Sequence, residues 1–375
     1  MGNGIQKLIM PKWGLSMTQG KVVEWLVAEG SVVSAGNHLV EVETDKIVGG
    51  VESPAAGTLR RHVASPGMEL PVGSLLGVLA DPTVPEDEID RFIEAFLPDT
   101  SAEEQADVTP QDDFVNVGGR RLRYLKMGES GCPAILLHGF TGNLDNWLFN
   151  HATLAQDRSV YALDLPGHGQ SAKDVGEGTV PALATMVLAW MDQLELRQAH
   201  LIGHSLGGSI ALQCALQAAP RVRSCTLLAP AGLGREINAE YLRGIVEAGR
   251  RKELKHHLQQ LYADPDRVTR QMTDDVLRYK RLDGVPTALG LLRDGLLVNE
   301  EQAHVSRDRL TVLEPPALVL WGEQDAIVPA AHSHDLPDHF EVERYADCGH
   351  MVQMEMASSV NRRVTEFLAR IDALE

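Results

Sequence analysis

Residues 57–79 repeat the pattern of residues 20–42, and the two stretches read GTLRRHVASPGMELPVGSLLGVL and GKVVEWLVAEGSVVSAGNHLVEV. At a constant offset of 37 residues, glycine matches glycine and an apolar residue matches an apolar residue: Gly20 and Gly57, Gly30 and Gly67, Gly36 and Gly73, Val33 and Leu70, Leu39 and Leu76, Val42 and Leu79. Glycines that recur in step with apolar residues mark the same turns in each copy. The repeat therefore predicts a small β-sandwich built from two equivalent half-sheets.

A short segment between the two copies has the pattern of a β-hairpin. Residues 40–43 alternate with period two, and a second strand-like run follows at residues 47–51. Asp45 and Lys46 lie between them, where a tight turn is expected. A lysine at such a turn is presented to solvent.

This arrangement resembles the lipoyl domain of 2-oxo acid dehydrogenase-type complexes over roughly residues 5–80. The stretch Glu43-Thr44-Asp45-Lys46-Ile47 is similar to the lipoylation turn of that family. Related biotinyl domains have methionine on both sides of the modified lysine, whereas Asp45 and Ile47 flank Lys46. The resemblance implies that Lys46 carries an amide-linked lipoyl group, added by a lipoate-attaching enzyme; the alternative is an ordinary surface lysine.

Length and composition indicate two or three packed domains, since the chain has 375 residues of which 44% are apolar. A net charge of −18 disfavours nucleic acid as a partner. We expect a cytoplasmic protein without membrane contact, because the sequence has neither a long apolar run nor the pattern of a signal peptide. The cysteines have no C-x-x-C spacing, which favours reduced thiols over disulfides or zinc ligands and predicts no metal site: Cys132, Cys214, Cys225 and Cys348.

Residues 81–113 contain 12 acidic residues and one basic residue, Arg91. Four prolines interrupt the segment, and an apolar-periodic stretch near residues 89–96 predicts one short amphipathic helix. The composition is typical of an extended linker, which as a flexible coil would span roughly 30 Å. The helix either docks on a neighbouring domain or binds a partner. The predicted domains are residues 1–80 and 114–375, joined by this linker.

From about residue 114, short apolar runs alternate with helical patterns. Strands are predicted at 134–137, 160–163, 200–202, 225–228 and 317–320, and helices near 180–194 and 206–219. This alternation predicts a doubly wound, mostly parallel sheet with its active site at the carboxyl ends of the strands.

One predicted strand leads directly into Gly203-His204-Ser205-Leu206-Gly207-Gly208 and then into a helix. Glycines two positions before and after Ser205 allow a turn so sharp that the hydroxyl stands clear of the sheet. Residues 114–375 thereby resemble the α/β-hydrolase family, which implies that Ser205 is a nucleophile. The charged helical stretch at about residues 233–309 is similar to the lid of that family. A well-formed but catalytically silent turn is the alternative.

A serine nucleophile needs a base that a carboxylate orients. In the family order of serine, acid and histidine, the resemblance assigns the acid to Asp325, which follows the strand at 317–320, with Glu323 as the fallback. His350, in Asp347-Cys348-Gly349-His350 before the last helix, is the predicted base. His204 and His168 are interpreted as residues that shape loops.

The backbone N–H groups of Phe140 and Leu206 are the predicted donors to an oxyanion, because one follows the strand at 134–137 and the other follows Ser205. The lid carries a basic group that is either a solvated helix face or a site for nucleotide phosphates: Arg250, Arg251, Lys252 and Lys255.

A lipoyl-like module joined to an α/β-hydrolase-like module resembles the acetyltransferase components of acetoin dehydrogenase complexes. Lipoyl-bearing acyltransferases more often end in a domain with an H-x-x-x-D-G motif; His304 and Asp308 reproduce its spacing, but Arg309 replaces the glycine and we interpret the match as chance. The resemblance implies transfer of acetyl from lipoyl-Lys46 through Ser205 to coenzyme A. It also implies two partners, a thiamine-diphosphate-dependent acetoin dehydrogenase component and dihydrolipoamide dehydrogenase.

Two other functions remain open at the level of sequence. A hydrolase would use the same three residues with water as acceptor, acting as an esterase or thioesterase on a lipoyl-linked or free acyl group. An acyl carrier would use Lys46 alone, with the second module as an inert scaffold. Product identity and covalent labelling of Ser205 distinguish these functions.

Overall fold

The computed structural model describes residues 5–11, 17, 19–44, 48–96 and 112–374. Lys46 and residues 97–111 of the acidic segment lie outside these ranges. The chain divides into two compact units between residues 109 and 110. Among the described residues, no helix is both long and apolar enough to cross a bilayer.

The first unit is a β-sandwich of two four-stranded antiparallel sheets. One sheet has the order β1-β8-β6-β3 and the other β5-β4-β2-β7, so strands related by the sequence repeat occupy equivalent places in the two sheets. The strands are β1 Ile5–Ile9, β2 Gln19–Trp25, β3 Val32–Val33, β4 His38–Glu43, β5 Val48–Glu52, β6 Gly57–His62, β7 Glu69–Pro71 and β8 Leu75–Ala80. The predicted two-fold sandwich is confirmed.

The repeated residues have the roles that their pattern predicts. Gly30 and Gly67 have φ of 86° and 89°, a left-handed conformation that glycine adopts without strain. Leu39 and its counterpart Leu76 are fully buried between the sheets. Gly20 is needed for a further reason, because a Cβ there would lie 2.7 Å from Cγ1 of Val42.

The predicted amphipathic helix, α1 Glu86–Ala95, packs on the first unit. Ile89 is fully buried in a small cluster with Leu75 and Val78. Arg61 forms ion pairs with Glu86 at 2.9 Å and with Asp90 at 2.8 Å. The structure thus has the helix docked on its neighbouring domain, and the first folded unit extends well beyond residue 80.

The second unit is a doubly wound α/β sheet of order β18-β17-β14-β13-β11-β12-β10-β9. Strands from β11 to β18 in this sheet are parallel, and β9 and β10 form an antiparallel edge. The strands are β9 Asp112–Val117, β10 Arg120–Met127, β11 Ala134–Leu137, β12 Val160–Leu163, β13 Ala199–His204, β14 Val222–Leu228, β15 Leu297–Val298, β16 Glu301–Gln302, β17 Ala317–Gly322 and β18 Phe340–Tyr345. The α/β-hydrolase prediction is confirmed.

Helices cover the sheet and form the insertion between β14 and β17. They are α2 His151–Leu154, α3 Val180–Gln193, α4 Leu206–Gln217, α5 Ala239–Glu247, α6 Arg251–Gln259, α7 Arg270–Lys280, α8 Val285–Leu296, α9 Val352–Glu355 and α10 Ala357–Asp372. The insertion that contains α5 to α8 is called the lid below. Strand order reverses around β11, since β12 and β13 lie on opposite sides of it. Ligand sites of such sheets lie at this reversal, beyond the carboxyl ends of the strands.

Candidate active site

Ser205 occupies a strained turn between β13 and α4. Its φ of 52° and ψ of −114° lie outside the regions that serine normally adopts. The flanking glycines are sterically required, since a Cβ on Gly203 would lie 2.3 Å from the carbonyl oxygen of Gly207. On Gly207 it would lie 2.0 Å from the carbonyl oxygen of Leu137. The turn places Ser205 in the wall of a cavity.

His350 and Asp325 form a buried hydrogen-bonded pair in the same region. Nδ1 of His350 lies 2.7 Å from Oδ2 of Asp325, and both side chains are almost fully buried. With its Nδ1 proton held by the carboxylate, the ring keeps Nε2 free to accept a proton. His350 lines the cavity together with Ser205. Glu323, the fallback acid, is exposed to solvent.

The predicted oxyanion donors flank Ser205 in the cavity wall, which includes Phe140 and Leu206. Neither N–H donates to an acceptor in the described part of the chain. The loop that carries Phe140 is fixed by its neighbour, because the N–H of Thr141 donates to Nε2 of His168 at 3.1 Å. The assignment of these two N–H groups as oxyanion donors stays a prediction, which their place in the same cavity wall as Ser205 fits.

The histidines interpreted as loop-shaping residues make buried hydrogen bonds to backbone. Nε2 of His204 donates to the carbonyl oxygen of His350 at 2.9 Å. Nδ1 of His168 donates to the carbonyl oxygen of Pro166 at 3.0 Å. Burial lowers the pKa of both rings well below its usual range. They stay neutral near pH 7 and act as fixed hydrogen-bonding groups.

The lid covers the cavity, whose volume is about 130 Å³, with mainly apolar side chains. The lid residues in the wall include Tyr241, Leu242, Leu258, Leu261, Tyr262, Met272 and Val276. Such a lining limits the access of water to the hydroxyl of Ser205.

Lys46 lies outside the described residues, but the strands on either side of it are described. β4 and β5 pair antiparallel with Glu43 opposite Val48, so their ends lie side by side. Glu43 is exposed at this end of the sheet. A lysine joined to these strand ends fits the attachment of a lipoyl group that must extend away from its domain.

Two family models match the chain, and two of its relatives are similar to it over nearly their full length. The model for the alpha/beta hydrolase fold covers residues 133–357, and the model described as a biotin-requiring enzyme covers residues 6–79. A dihydrolipoyllysine-residue acetyltransferase component of an acetoin cleaving system, from Pseudomonas putida, is 48% identical over 369 residues, which is 98% of this chain and 99% of the relative. The corresponding component from Cupriavidus necator is 45% identical over 361 residues, 96% of each chain.

The chain belongs to this acetyltransferase family. Among solved structures, a meta-cleavage product hydrolase from Pseudomonas fluorescens superposes with a TM-score of 0.63 and 22% identity. The match covers 69% of this chain and 97% of that one and concerns the fold alone. The predicted combination of a lipoyl module with an α/β-hydrolase module is confirmed.

Some features of this acetyltransferase family member were not expected from its sequence. Although we interpreted the spacing of His304 and Asp308 as chance, His304 lines the cavity, whereas Asp308 is exposed. Glu355 is buried beside the turn of His350, and no local pattern marks it. In the basic lid group, Arg251 pairs with Asp274 at 2.7 Å.

Within the described residues, all four cysteines are free thiols. Burial raises the pKa of Cys225 to about 12, so this thiol stays protonated at neutral pH. The side chains of Cys132, His200 and Asp372 lie close enough together to be candidate metal ligands. Asp372 already pairs with His200 at 3.0 Å and with Arg158 at 2.9 Å, which accounts for the positions of His200 and Asp372.

Proposed function

We propose that this chain is the lipoyl-dependent acyltransferase of an acetoin-cleaving multienzyme system and that it passes an acetyl group to coenzyme A through Ser205. The observation that carries the proposal is the cavity whose wall contains both Ser205 and His350, with His350 hydrogen-bonded to Asp325. Full-length similarity to two acetoin-system acetyltransferases supports the choice of substrate. The lipoyl group, attached to Lys46, supplies the thiol that presents the acetyl group as a thioester.

In the first half of the reaction, Oγ of Ser205 attacks the thioester carbonyl while Nε2 of His350 takes the hydroxyl proton. The N–H groups of Phe140 and Leu206 stabilise the negative charge on the carbonyl oxygen. The C–S bond then breaks, and His350 returns the proton to the departing thiolate. Ser205 is left as an acetyl ester.

In the second half, the thiol of coenzyme A is the nucleophile. His350 takes its proton, the sulfur attacks the ester, and the proton returns to Oγ of Ser205 as acetyl-coenzyme A leaves. Exchanging one thioester for another is nearly neutral in free energy overall. Water competes with coenzyme A for the serine ester, so the ester must be protected from it. The apolar side chains of the lid limit the access of water to the ester.

The proposed partners are a thiamine-diphosphate-dependent acetoin dehydrogenase component, dihydrolipoamide dehydrogenase and a lipoate-attaching enzyme. We propose the cytoplasm as the location. The first partner would cleave acetoin and deliver the acetyl group, and the second would reoxidise the dithiol that transfer leaves behind.

Identifying the acyl product tests this function. The lipoylated protein is incubated with its thiamine-dependent partner, acetoin and coenzyme A, and the products are separated by mass spectrometry. The proposal predicts acetyl-coenzyme A in proportion to the acetoin consumed. Acetate as the main product would identify the chain as a hydrolase instead. The absence of both products, together with no covalent labelling of Ser205, would identify it as an acyl carrier.

A further inference from the structure

Glu355 is a buried carboxylate that the proposed reaction does not use. It ends α9, and 3% of its surface is exposed. A buried carboxylate is costly unless hydrogen-bond donors surround it. The donors of Glu355 come from two parts of the second unit that are distant in sequence.

One oxygen of Glu355 holds the turn that carries the base. The N–H of Gly349, the residue before His350, donates to Oε1 at 3.0 Å. Cys348, on the same turn, has its sulfur 3.9 Å from that oxygen. The carboxylate thus fixes the backbone next to His350.

The other oxygen holds the lid. The N–H of Ala263 donates to Oε2 at 2.8 Å. Ala263 follows Leu261 and Tyr262, which line the cavity, and we call residues 261–263 the lid contact segment. One side chain therefore bridges the lid and the turn of the base.

The turn and the lid contact segment also touch each other directly. The N–H of His350 donates to the carbonyl oxygen of Leu261 at 2.9 Å. A Cβ on Gly349 would lie 2.6 Å from the nitrogen of Ala263 and 2.8 Å from the carbonyl carbon of Tyr262. Because no space remains at this contact, the lid contact segment cannot move toward the turn of His350 without displacing it.

We propose that Glu355 is a positioning residue that couples the lid to the base, holding the ring of His350 in line with Ser205 only while the lid contact segment is seated. The inference rests on the proposed role of His350 in acyl transfer. An apolar side chain at this position would leave the buried N–H groups of Ala263 and Gly349 without an acceptor. What a carboxylate adds is two acceptors that face in different directions.

The groups around Glu355 have opposing effects on its charged form. Burial raises the pKa of Glu355, although the N–H groups of Ala263, Gly349 and Met351 and the charge of Arg267 act in the opposite direction. Tyr262 and Cys348 also face it, and burial together with the charge of Glu355 raises the pKa of both.

The test uses full-length lipoylated protein and the variant Glu355→Gln. An amide keeps the shape of the side chain but has one acceptor, so its NH₂ group meets one of the two N–H donors. Glu366→Gln is the matched control, because Glu366 is an exposed carboxylate on α10. Two quantities are measured: the rate at which a fluorophosphonate probe labels Ser205, and hydrogen exchange in peptides that cover residues 258–266 and 346–352.

We expect Glu355→Gln to slow the labelling of Ser205 by about 10²-fold, since misplacing a catalytic group by about 1 Å has an effect of that size. Exchange should become faster in both peptides, and the KM for coenzyme A should stay near the wild-type value while kcat falls. Glu366→Gln should change none of these. Glu355→Asp, which keeps the charge but is too short to reach both donors, should slow labelling as well and serves if the glutamine variant does not fold.

Labelling of either Glu355 variant at the wild-type rate would overturn the inference. Slow labelling without faster exchange in residues 258–266 would also overturn it, because the lid would then not be coupled to the base. Failure of the proposed function has a different signature. If Ser205 is catalytically silent, wild-type Ser205 itself is not labelled, and the inference falls with the function. If the chain is a hydrolase, wild-type Ser205 is labelled while acetate replaces acetyl-coenzyme A, and the coupling through Glu355 still stands.

Discussion

The carboxylate of Asp325 accepts hydrogen bonds from four groups, which fix its position and its orientation toward His350. The N–H groups of Ile327 and Val328 donate to Oδ1 at 2.8 and 3.0 Å. Nε1 of Trp321 and Nδ1 of His350 lie 3.0 and 2.7 Å from Oδ2. The charge is thus fixed in place, and it orients His350 without taking its proton.

We predict that Asp325→Asn lowers kcat for acetyl transfer by about 10⁴-fold, because an amide selects the wrong tautomer of His350. Glu323→Gln, two residues away and exposed, is the matched control and should retain wild-type activity. Steady-state kinetics with coenzyme A as the varied substrate measures both variants. Loss of activity in Glu323→Gln together with wild-type activity in Asp325→Asn would show that the carboxylate has been assigned wrongly.

Glu355 also gives a prediction about stability and pH. Burial raises the pKa of its carboxyl group above the ordinary value of 4.5, so the folded protein binds this proton more tightly than the unfolded chain does. The contribution of the group to stability is therefore present at low pH and is lost as pH rises through the folded pKa. Only the wild type loses this contribution as the pH increases. The free energy of unfolding of Glu355→Gln minus that of the wild type should therefore become more positive from about pH 4 to neutrality.

Denaturant unfolding of the two proteins at a series of pH values checks this difference. Arg267, Cys348 and Tyr262, which face Glu355, are present in both proteins. A variant that loses stability relative to wild type over the same pH range would contradict the direction of the pKa shift.

At the scale of an element, α1 is an amphipathic helix whose apolar face is buried against the first unit. Ile89 is fully buried, and Arg61 bridges Glu86 and Asp90 from β6. Such exposed ion pairs contribute little, typically below about 1 kcal/mol each. The apolar contacts of α1, in which Ile89 is fully buried and Phe92 and Ile93 pack on the same cluster, are therefore the main interaction that holds the helix in place.

We predict that Ile89→Ala weakens the attachment of α1 by about 2–5 kcal/mol, the usual cost of removing a buried aliphatic side chain. Glu94→Ala, on the exposed face of the same helix, should have almost no effect. Hydrogen exchange of α1 and of the underlying β8, followed in the intact protein, reports the change. Unchanged protection of α1 in Ile89→Ala would show that other contacts hold the helix.

Elements with local patterns were predictable from the sequence, and contacts between distant residues were not. The glycine repeat predicted the sandwich, and the glycines around Ser205 predicted its turn, because each pattern records the geometry of its own segment. The choice between Asp325 and Glu323 depends on which carboxylate the fold directs toward His350, and spacing alone does not contain that information. Glu355 was missed because Ala263 is 92 residues away from it in sequence.

At the scale of the whole molecule, the proposed function requires chemistry in each of two compact units. The lysine that is proposed to carry the lipoyl group belongs to the first, and the cavity with Ser205 belongs to the second. The acidic, proline-containing segment between them has the composition of an extended tether. Transfer between the units then depends on the effective concentration that this tether sets.

Lipoylation is predicted at Lys46 and at no other lysine. Peptide mass spectrometry after expression with lipoate checks this, with Lys21, an exposed lysine on β2 of the same unit, as the internal control. Lys46→Arg should carry no lipoyl group while the sandwich remains folded. Modification of another lysine, or attachment of biotin, would refute the prediction.

The most direct test of transfer through Ser205 is the variant Ser205→Ala, measured at both stages of the reaction. We predict that formation of acetyl-coenzyme A falls on the order of 10³-fold or more, equivalent to about 4 kcal/mol in the barrier. Acetylation of the lipoyl group by the thiamine-dependent partner should continue at the wild-type rate. Acetyl-coenzyme A formation that stays near the wild-type rate in Ser205→Ala would contradict the account, because the acetyl group would then pass between thiols without Ser205.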